Sequence, residues 1–523
     1  MHRPKGPGYP KPAPHLRNLY FSVLLSAFML MACVGHAMTA QLPDLPPRGT
    51  WEIRDVTIIP ADNDDVLPHR TVIVENGRIA RIEPYDAAAA TAGAEVIDGS
   101  GKFLIPGLVD AHVHIATECS IRDSPDPVIA HLDLGTQHSY HRHVLMTFLK
   151  AGVTSVANLG GSARQDESLL WLRDEITAGR MLGPQLYVGK RINGPFTEVM
   201  SGRLAPVPSR IEAPTTAADG AAAVRQARQR GYDFIKPYQF LNRTTYQAIV
   251  EESQRQGMIT TGHLPELGCE RCADRAFAFE HPMSNIAHIE ELARYARTSD
   301  FAPGDIDALA DLVAAKGVAV TPTLITLKTI VHMYVERAVP PLPEGWLALV
   351  DPVTRAGWSA DKNRYLSHSF RDQEGASTFP AGYDFSRLLT RALWKRGVQL
   401  TVGTDASLPG LSYGVSVHQE MIELRAIGLT ALEVLRAATV NAHALFDRSG
   451  GSGAVRIGER ADLVLLNADP TADIRNVAQV EGIFVQGRWL SAAAIDAMLA
   501  ETSHFMRALS AQMARTGAAE MAR

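Results

Sequence analysis

The chain has 523 residues, of which 46% are hydrophobic and 20% charged, so it can bury a large core and form more than one domain. Its formal net charge of −5 provides no basic surface. Nucleic acid is therefore excluded as an expected partner.

The first 40 residues differ in composition from the rest of the chain. Basic residues between His2 and Arg17 precede an apolar stretch over residues 19–34. This stretch is too short and too early for a membrane span, and it has the layout of a bacterial export signal, with a retained anchor helix as the alternative. Residues 30–33 also approximate a lipobox in which Cys33 becomes lipidated. We expect an exported protein without a stable membrane span after signal removal, either periplasmic or lipid-anchored outside the cytoplasmic or outer membrane.

Residues from about 42 to 106 have the pattern of a small β-unit. A strand over Thr71–Glu75 is followed by Asn76-Gly77, a type I′ turn signal, and then by a strand over Arg78–Ile82. Short strands separated by turn residues return much later, at residues 461–466 and 483–488. The pattern by itself does not say whether these distant segments pair.

The segment Phe103–His114 predicts a buried apolar strand that ends in His112 and His114. Residues at i and i+2 of a strand point to the same side, so these two imidazoles can hold one cation. Two surface histidines are the alternative. A parallel barrel builds its site at the carboxyl ends of its strands, which favours the metal site and predicts further ligands at other strand ends.

The run Gly-Leu-Val-Asp-Ala-His-Val-His that ends at His114 resembles the first barrel strand of the amidohydrolase superfamily, and the resemblance extends from about Trp51 to Leu490. It implies an α/β fold: a (β/α)8 TIM-like barrel with a flanking β-sandwich built from the N- and C-terminal segments. Gly458–Leu463 matches the usual "G-x-x-A-D-L" segment of that sandwich. We expect a signal peptide over 1–40, sandwich parts over 41–106 and 446–490, the barrel over 107–445, and a helical tail over 491–523.

Short apolar strands alternate with helical patterns through the central part of the chain, as in βα units of a parallel barrel. The further strands are predicted at Thr154–Asn158, Gln185–Val188, Phe234–Lys236, Ile259–His263, Asn285–His288, Val318–Thr321 and Leu400–Gly403. Helices are predicted at Glu167–Ala178, Thr244–Gln256, Asp305–Lys316 and Thr430–Leu445. An insertion over about 324–385 is either an ordered lid over the barrel mouth or a plain surface insertion.

Lys236 ends the fourth barrel strand, where a free ammonium would repel a cation held by histidines. Its segment resembles the family's "G-A-D-x-I-K", which implies a carbamate on Lys236 that bridges two divalent metal ions, expected to be zinc. A substrate-binding cation or a surface lysine is the alternative. Tyr238 and Arg243, just beyond it, are predicted to contact the substrate, because arginine can hold a carboxylate with two hydrogen bonds.

Further ligands are predicted at later strand ends. His263 and His288 resemble the ligands of the second metal, and His281 competes with His288 for this role. Asp405 follows the eighth strand, where it can contact a metal and also accept a proton from the attacking water. The predicted ligand set is His112, His114, Lys236, His263, His288 and Asp405, with Asp405 as the catalytic base.

Within the superfamily, the chain most resembles the imidazolonepropionase-like and Xaa-Pro dipeptidase-like group, which includes exported enzymes. The resemblance implies an exported hydrolase that cleaves the amide C–N bond of a small dipeptide or N-acyl amino acid with metal-activated hydroxide. A mononuclear deaminase is the second hypothesis, because His263 and Glu266 have the spacing of a deaminase motif. A non-catalytic ligand-binding barrel is the third. Cys269 and Cys272 are predicted to form a local disulfide after export, and we expect a homo-oligomer.

Overall fold

The computed structural model describes residues 45, 48–115, 137–161, 163–194, 213–238, 240–264, 275–292, 305–367, 379–447, 451 and 453–521. Apart from Leu45, these residues belong to a compact unit that runs from Pro46 to Arg523. The predictions for the export signal, Cys33, Glu266, Cys269 and Cys272 concern residues outside the described part of the chain.

A sheet made from both ends of the chain forms the flanking β-unit. Its strands are β1 (Trp51–Ile58), β2 (Leu67–Glu75), β3 (Arg78–Pro84), β4 (Glu95–Asp98), β5 (Phe103–Pro106), β13 (Leu463–Leu466), β14 (Val480–Val485) and β15 (Arg488–Ser491). They are hydrogen-bonded in the order β15-β14-β13-β5-β1-β2-β3, and β4 pairs with β1. The two ends meet where β5 pairs antiparallel with β13, with Ile105 opposite Val464.

The predicted hairpin is present in this sheet. Strands β2 and β3 pair antiparallel, with Glu75 opposite Arg78. Asn76 and Gly77 have φ of 53° and 74°, and the type I′ turn needs φ above zero at both of its central positions.

The barrel strands are parallel and run in chain order from β6 to β12. They are β6 (Leu108–Val113), β7 (Val153–Asn158), β8 (Gln185–Ile192), β9 (Phe234–Pro237), β10 (Ile259–Gly262), β11 (Asn285–Ala287) and β12 (Ala319–Thr321). The eighth position is filled by residues 400–406, which form parallel bridges from Leu400 to Val320 and from Ala406 to Val113. The predicted α/β barrel with a flanking unit built from both ends of the chain is confirmed. The barrel is nearly closed by seven strands, the predicted eighth strand at Leu400–Gly403 is present only as bridges, and the flanking unit is one hydrogen-bonded sheet.

The segment Phe103–His114 is not one strand, and this prediction was wrong. The chain leaves the flanking sheet after β5 and enters the barrel at β6. Gly107 lies between them, with its N–H bonded to Asp462 O at 2.8 Å. A side chain at this position would collide with Thr154, because an added Cβ would lie 1.9 Å from its Oγ1. The sequence gives no sign of this break, because both strands are buried and their apolar residues form one continuous run.

Helices follow most of the barrel strands. In chain order they are α1 (Gln137–Lys150), α2 (Ala163–Thr177), α3 (Ala217–Gln229), α4 (Arg243–Arg255), α5 (Arg275–Glu280), α6 (Asp305–Ala315), α7 (Leu324–Glu336), α8 (Pro352–Ala356), α9 (Phe379–Lys395), α10 (Val415–Ala426), α11 (Ala431–Ala438), α12 (Val440–Phe446) and α13 (Ala492–Met521). The single helix predicted over Thr430–Leu445 is two helices, because Thr439 has φ −135° and ψ −90°. In the part of the chain that is described, no helix has both the length and the apolar character needed to cross a membrane.

The insertion over residues 324–385, called the lid segment or lid below, contains short helical elements joined by turns where it is described. They are α7, a 3₁₀ turn at Trp346–Leu349, α8, a 3₁₀ turn at Arg364–Leu366 and the start of α9. Asp351 caps α8 by accepting hydrogen bonds from Val353 N and Thr354 N, and it also accepts a 2.9 Å bond from Tyr140 Oη. This last bond connects the lid to α1.

Candidate metal centre and substrate pocket

The end of β6 and the eighth barrel segment bring His112, His114 and Asp405 together. One carboxylate oxygen of Asp405 lies 3.3 Å from Nε2 of each histidine. One ligand atom from each of the three residues lies within 4.8 Å of the others. Asp405 has φ 54°, a left-handed conformation that is uncommon for a residue other than glycine and recurs at functional sites.

Buried Asp110 joins the two segments that carry these groups. Its carboxylate accepts hydrogen bonds from Thr404 Oγ1 at 2.6 Å, from Thr404 N at 3.0 Å and from His112 N at 3.2 Å. Burial raises the pKa of Asp110 to about 7, although these hydrogen bonds act to lower it. Asp110 was not among the predicted site residues, although its position two residues before His112 is a signal in the sequence.

The other three predicted ligands lie beside this group. The ring centroid of His288 is 4.4 Å from that of His112 and 5.0 Å from that of His263. The charge of Lys236 acts on both His112 and Asp405. His263 and His288 thus lie beside the first group, and Lys236 is near enough for its charge to act on it. Among the described residues, the ligand atoms that lie within 4.8 Å of one another are those of His112, His114 and Asp405. His281 is elsewhere, with Nδ1 3.9 Å from Glu251 Oε1 on α4.

The protonation states suit cation binding. Burial, with the neighbouring cationic groups, holds the pKa of His112 well below its usual range, so its imidazole is neutral near pH 7. Burial would raise the pKa of Asp405, but the hydrogen bond with His114 and the charges of His288 and His114 bring it down to about 2. The neutral imidazole of His112 and the ionised carboxylate of Asp405 are forms that bind divalent ions.

An independent observation tests whether these residues fit a metal. His112 is fully buried, and within the described residues neither of its ring nitrogens makes a hydrogen bond, although Nε2 lies 3.3 Å from the Asp405 carboxylate. A buried polar atom that makes no hydrogen bond is costly and rare, so a cation bound by one of these nitrogens would reduce the cost. The donor set therefore fits a divalent metal ion.

The remaining ring nitrogens are oriented by neighbours. His114 Nδ1 donates to Gly160 O at 3.0 Å, and His288 Nδ1 lies 2.9 Å from Thr323 Oγ1. His263 Nδ1 lies 3.4 Å from Glu291 Oε1. Partners of this kind set the tautomer and the orientation of metal-binding histidines.

Lys236 is 1% exposed at the end of β9. Burial lowers the pKa of its amine to about 7, and the carboxylate of Asp405 opposes this effect. A substantial fraction of the amine is then neutral near pH 7, whereas a surface lysine is almost wholly protonated.

A pocket of about 370 Å³ opens beside His114. Its walls include Gly160, Gly161 and Arg191, and residues 353–358 of the lid contribute Thr354 and Trp358. Arg191, at the end of β8, was not singled out from the sequence, because a lone strand-end arginine carries no motif.

The two predicted substrate-contacting residues lie in different places. Tyr238 lies at the centre, with its ring centroid 4.4 Å from that of His263. Arg243 is exposed at the start of α4, with its guanidinium 5.3 Å from the centroid of Phe277, and it is not among the residues that line the pocket.

Known proteins share this fold. A bottromycin amidohydrolase structure superposes with a TM-score of 0.64 and 24% identity, covering 88% of this chain and 91% of that one. A Xaa-Pro dipeptidase with bound methionine gives a TM-score of 0.62 and 18% identity, covering 84% of this chain and all of the other. At these identities the similarity concerns the fold alone.

Curated relatives match over shorter stretches. An N-acetylglucosamine-6-phosphate deacetylase from Lysinibacillus sphaericus is 28% identical over 149 residues, which is 28% of this chain and 33% of the deacetylase. The chain thus spans about a third of the length of this relative. The sequence profile of the Amidohydrolase family matches residues 103–490, from β5 to the end of the flanking sheet. With three quarters of its length matched and its barrel in place, the chain belongs to the Amidohydrolase family.

Proposed function

We propose that the protein is an exported, metal-dependent hydrolase that cleaves the amide C–N bond of a small dipeptide or N-acyl amino acid. The observation that supports this most is the contact of one Asp405 oxygen, at 3.3 Å, with both His112 Nε2 and His114 Nε2. A carboxylate in this position can both help to hold a cation and accept a proton from water.

The residues that would hold the metal are His112 and His114 with Asp405 on one side, and His263 and His288 on the other. We propose that Lys236 would add a further ligand as a carbamate, since its amine is buried and its pKa is lowered to about 7. Bound zinc or a similar divalent ion supplies Lewis acidity and makes water acidic enough to lose a proton near pH 7.

The side chains of this chain would then manage the protons. Asp405, ionised because its pKa is about 2, accepts the proton of the attacking water. The same carboxyl group delivers that proton to the departing nitrogen, because a protonated amine leaves far more easily. The Gly160 carbonyl keeps the His114 ring oriented during both transfers.

The test is a turnover screen on the purified, metal-loaded protein. We expect a library of dipeptides and N-acyl amino acids to contain substrates that release an amino acid, and we expect a chelator to abolish this release. Release of ammonia from heterocyclic amines would favour the deaminase hypothesis. Binding of library members without turnover would favour a ligand-binding barrel.

A further inference from the structure

Arg191 is a charged group in the pocket wall that the proposed chemistry does not use. Within the described part of the chain, its contacts are a 3.5 Å hydrogen bond to Gly161 O and a position 5.4 Å from the Tyr238 ring centroid. Its Nε is buried and makes no hydrogen bond there. None of these contacts is a hydrogen bond to a carboxylate. Asp166, whose charge interacts with that of Arg191, accepts its hydrogen bonds from Gly161 N and Tyr232 Oη instead. A partly desolvated guanidinium without a hydrogen-bonded carboxylate is unfavourable.

The turn after β7, at Gly160 and Gly161, forms hydrogen bonds with both Arg191 and the predicted metal ligand His114. Gly160 accepts the hydrogen bond of His114 Nδ1, and Gly161 accepts the one from Arg191. Gly160 has φ 82°, and a Cβ there would lie 2.8 Å from the Cβ of Arg191. Position 160 therefore requires glycine, and this turn places the Arg191 guanidinium near His114.

The ring of Tyr238 contacts both Lys236, a predicted metal ligand, and this guanidinium. Its centroid is 5.2 Å from Lys236 Nζ and 5.4 Å from Arg191 Cζ. A substrate whose scissile amide lies at the metal centre would therefore reach Arg191 with a group only a few bonds away. In an N-acyl amino acid or a dipeptide, the α-carboxylate has this position.

The lid provides two further polar atoms above the same pocket. Thr354 Oγ1 and Trp358 Nε1 are buried and make no hydrogen bond to any described residue. Both residues line the pocket with Arg191. Each can donate a hydrogen bond, so this wall of the pocket suits a ligand that accepts hydrogen bonds.

We infer that Arg191 binds a carboxylate of the substrate, with Thr354 and Trp358 donating to the same ligand from the lid. This inference rests on the proposed function for the position of the scissile bond. A guanidinium matches a carboxylate in shape and charge through two parallel hydrogen bonds. Arg191, and not the exposed Arg243, then selects substrates with a free carboxylate.

The test compares acids with their uncharged amides. The probes are N-acetyl-L-alanine, N-acetyl-L-leucine and N-acetyl-L-methionine, each beside its primary amide. Binding is measured by calorimetry on the metal-loaded Asp405→Asn protein, so that turnover does not interfere. We expect the acid of at least one pair to bind roughly 10- to 100-fold more tightly than its amide, as for hydrogen bonds between charged groups.

Variants of Arg191 in the same background complete the test. Arg191→Gln should abolish the preference for the acid, and Arg191→Lys should retain part of it. Arg228→Gln, which removes an equal charge from the exposed face of α3, should leave the preference unchanged. Equal binding of acids and amides, absence of binding by any acid, or equal weakening of both by Arg191→Gln would overturn the inference.

The two proposals fail in different ways. If the parent protein hydrolysed acids and amides at equal rates and a chelator stopped both reactions, the proposed function would stand and carboxylate binding by Arg191 would be wrong. If acids bound more tightly than amides through Arg191 but the parent protein hydrolysed neither, carboxylate binding would stand and the proposed function would be wrong.

Discussion

Thr323 Oγ1 lies 2.9 Å from Nδ1 of His288, which ties the start of the lid to the candidate metal centre. Thr323 has φ 50° and ψ 44°, a left-handed conformation that is unfavourable for a β-branched residue. Glu420 holds the following turn, because its buried carboxylate accepts hydrogen bonds from Leu324 N at 3.0 Å and from Ile325 N at 2.6 Å. The lid and the metal centre are therefore built on a shared support.

Replacing Thr323 with valine keeps the shape of the side chain and removes the hydroxyl that faces His288. We expect the affinity for zinc to fall by roughly 10- to 100-fold, as for the loss of other groups that orient a metal ligand. Competition with a coloured chelator measures this affinity directly, without an assay of activity.

Thr390→Val is the matched control for this change. Thr390 is fully buried on α9, and its hydroxyl bonds only to Ser386 O, at 2.7 Å, among the described residues. Its replacement should leave zinc affinity unchanged. If both variants bound zinc like the parent, Thr323 would have no role in orienting His288.

Lys236→Met should change the number of bound metal ions. A carbamate that bridges two ions predicts about two per chain in the parent, and fewer in the variant because the bridging anion is lost. Elemental analysis of dialysed protein gives the count. Lys190→Met, at a lysine that is 4% exposed on β8, controls for the removal of a buried amine. A single ion in the parent that is retained in Lys236→Met would instead support a mononuclear centre.

Much of the candidate site could be predicted because its residues follow short apolar strands. His112, Lys236 and Asp405 each end a segment whose burial and β-propensity are local properties of the sequence. The carboxyl ends of such strands meet at one face of a parallel barrel, so their order along the chain was sufficient to group them.

The supporting residues could not be predicted in this way. Asp110 acts through Thr404, which is 294 positions away in the chain, and Thr323 acts through a left-handed backbone conformation. Arg191 differs from any other strand-end arginine only through its contacts with Gly161 and Tyr238. These properties depend on tertiary contacts, which no local pattern records.

His418 should make the stability of the protein depend on pH. It is 5% exposed, and its Nε2 donates to Ala151 O at 2.8 Å. Burial lowers the pKa of His418 from its usual 6.5 to about 4, and the hydrogen bond only partly opposes this. The folded state thus favours the neutral ring, so its contribution is present above pH 6.5 and is lost as the pH falls toward 4.

The comparison of the parent with His418→Gln isolates this effect. Glutamine can still donate to Ala151 O but does not titrate, and the charged neighbours Lys150 and Glu344 at the adjoining pocket remain in both proteins. Between pH 7 and pH 4 the parent should lose about 3 kcal/mol more unfolding free energy than the variant. Urea denaturation measures this difference, and equal losses would contradict the prediction.

The N-terminal prediction can be checked by mass spectrometry of protein produced in an exporting bacterial host. We expect the loss of roughly the first thirty residues, as removal of a signal peptide requires, and no free thiol in the peptide that contains Cys269 and Cys272. A mass that includes a lipid on Cys33 would place the protein on a membrane surface. An intact N-terminus on secreted protein would rule out cleavage.

Asp405→Asn separates an enzyme from a binding protein. Asparagine keeps the shape of the side chain and an oxygen that can face a metal, but it cannot accept the proton of the attacking water. The value of kcat should fall by roughly 10²- to 10⁴-fold, the range typical for loss of a general acid–base group. Substrate affinity should change much less, because the loss affects the transition state and not ground-state binding.

Steady-state assays of product release give kcat, calorimetry gives the substrate affinity, and elemental analysis checks that the variant retains its metal. Hydrolysis near the parental rate by a variant that keeps its metal would show that another group is the base, with Glu266 or His288 the next residue to test.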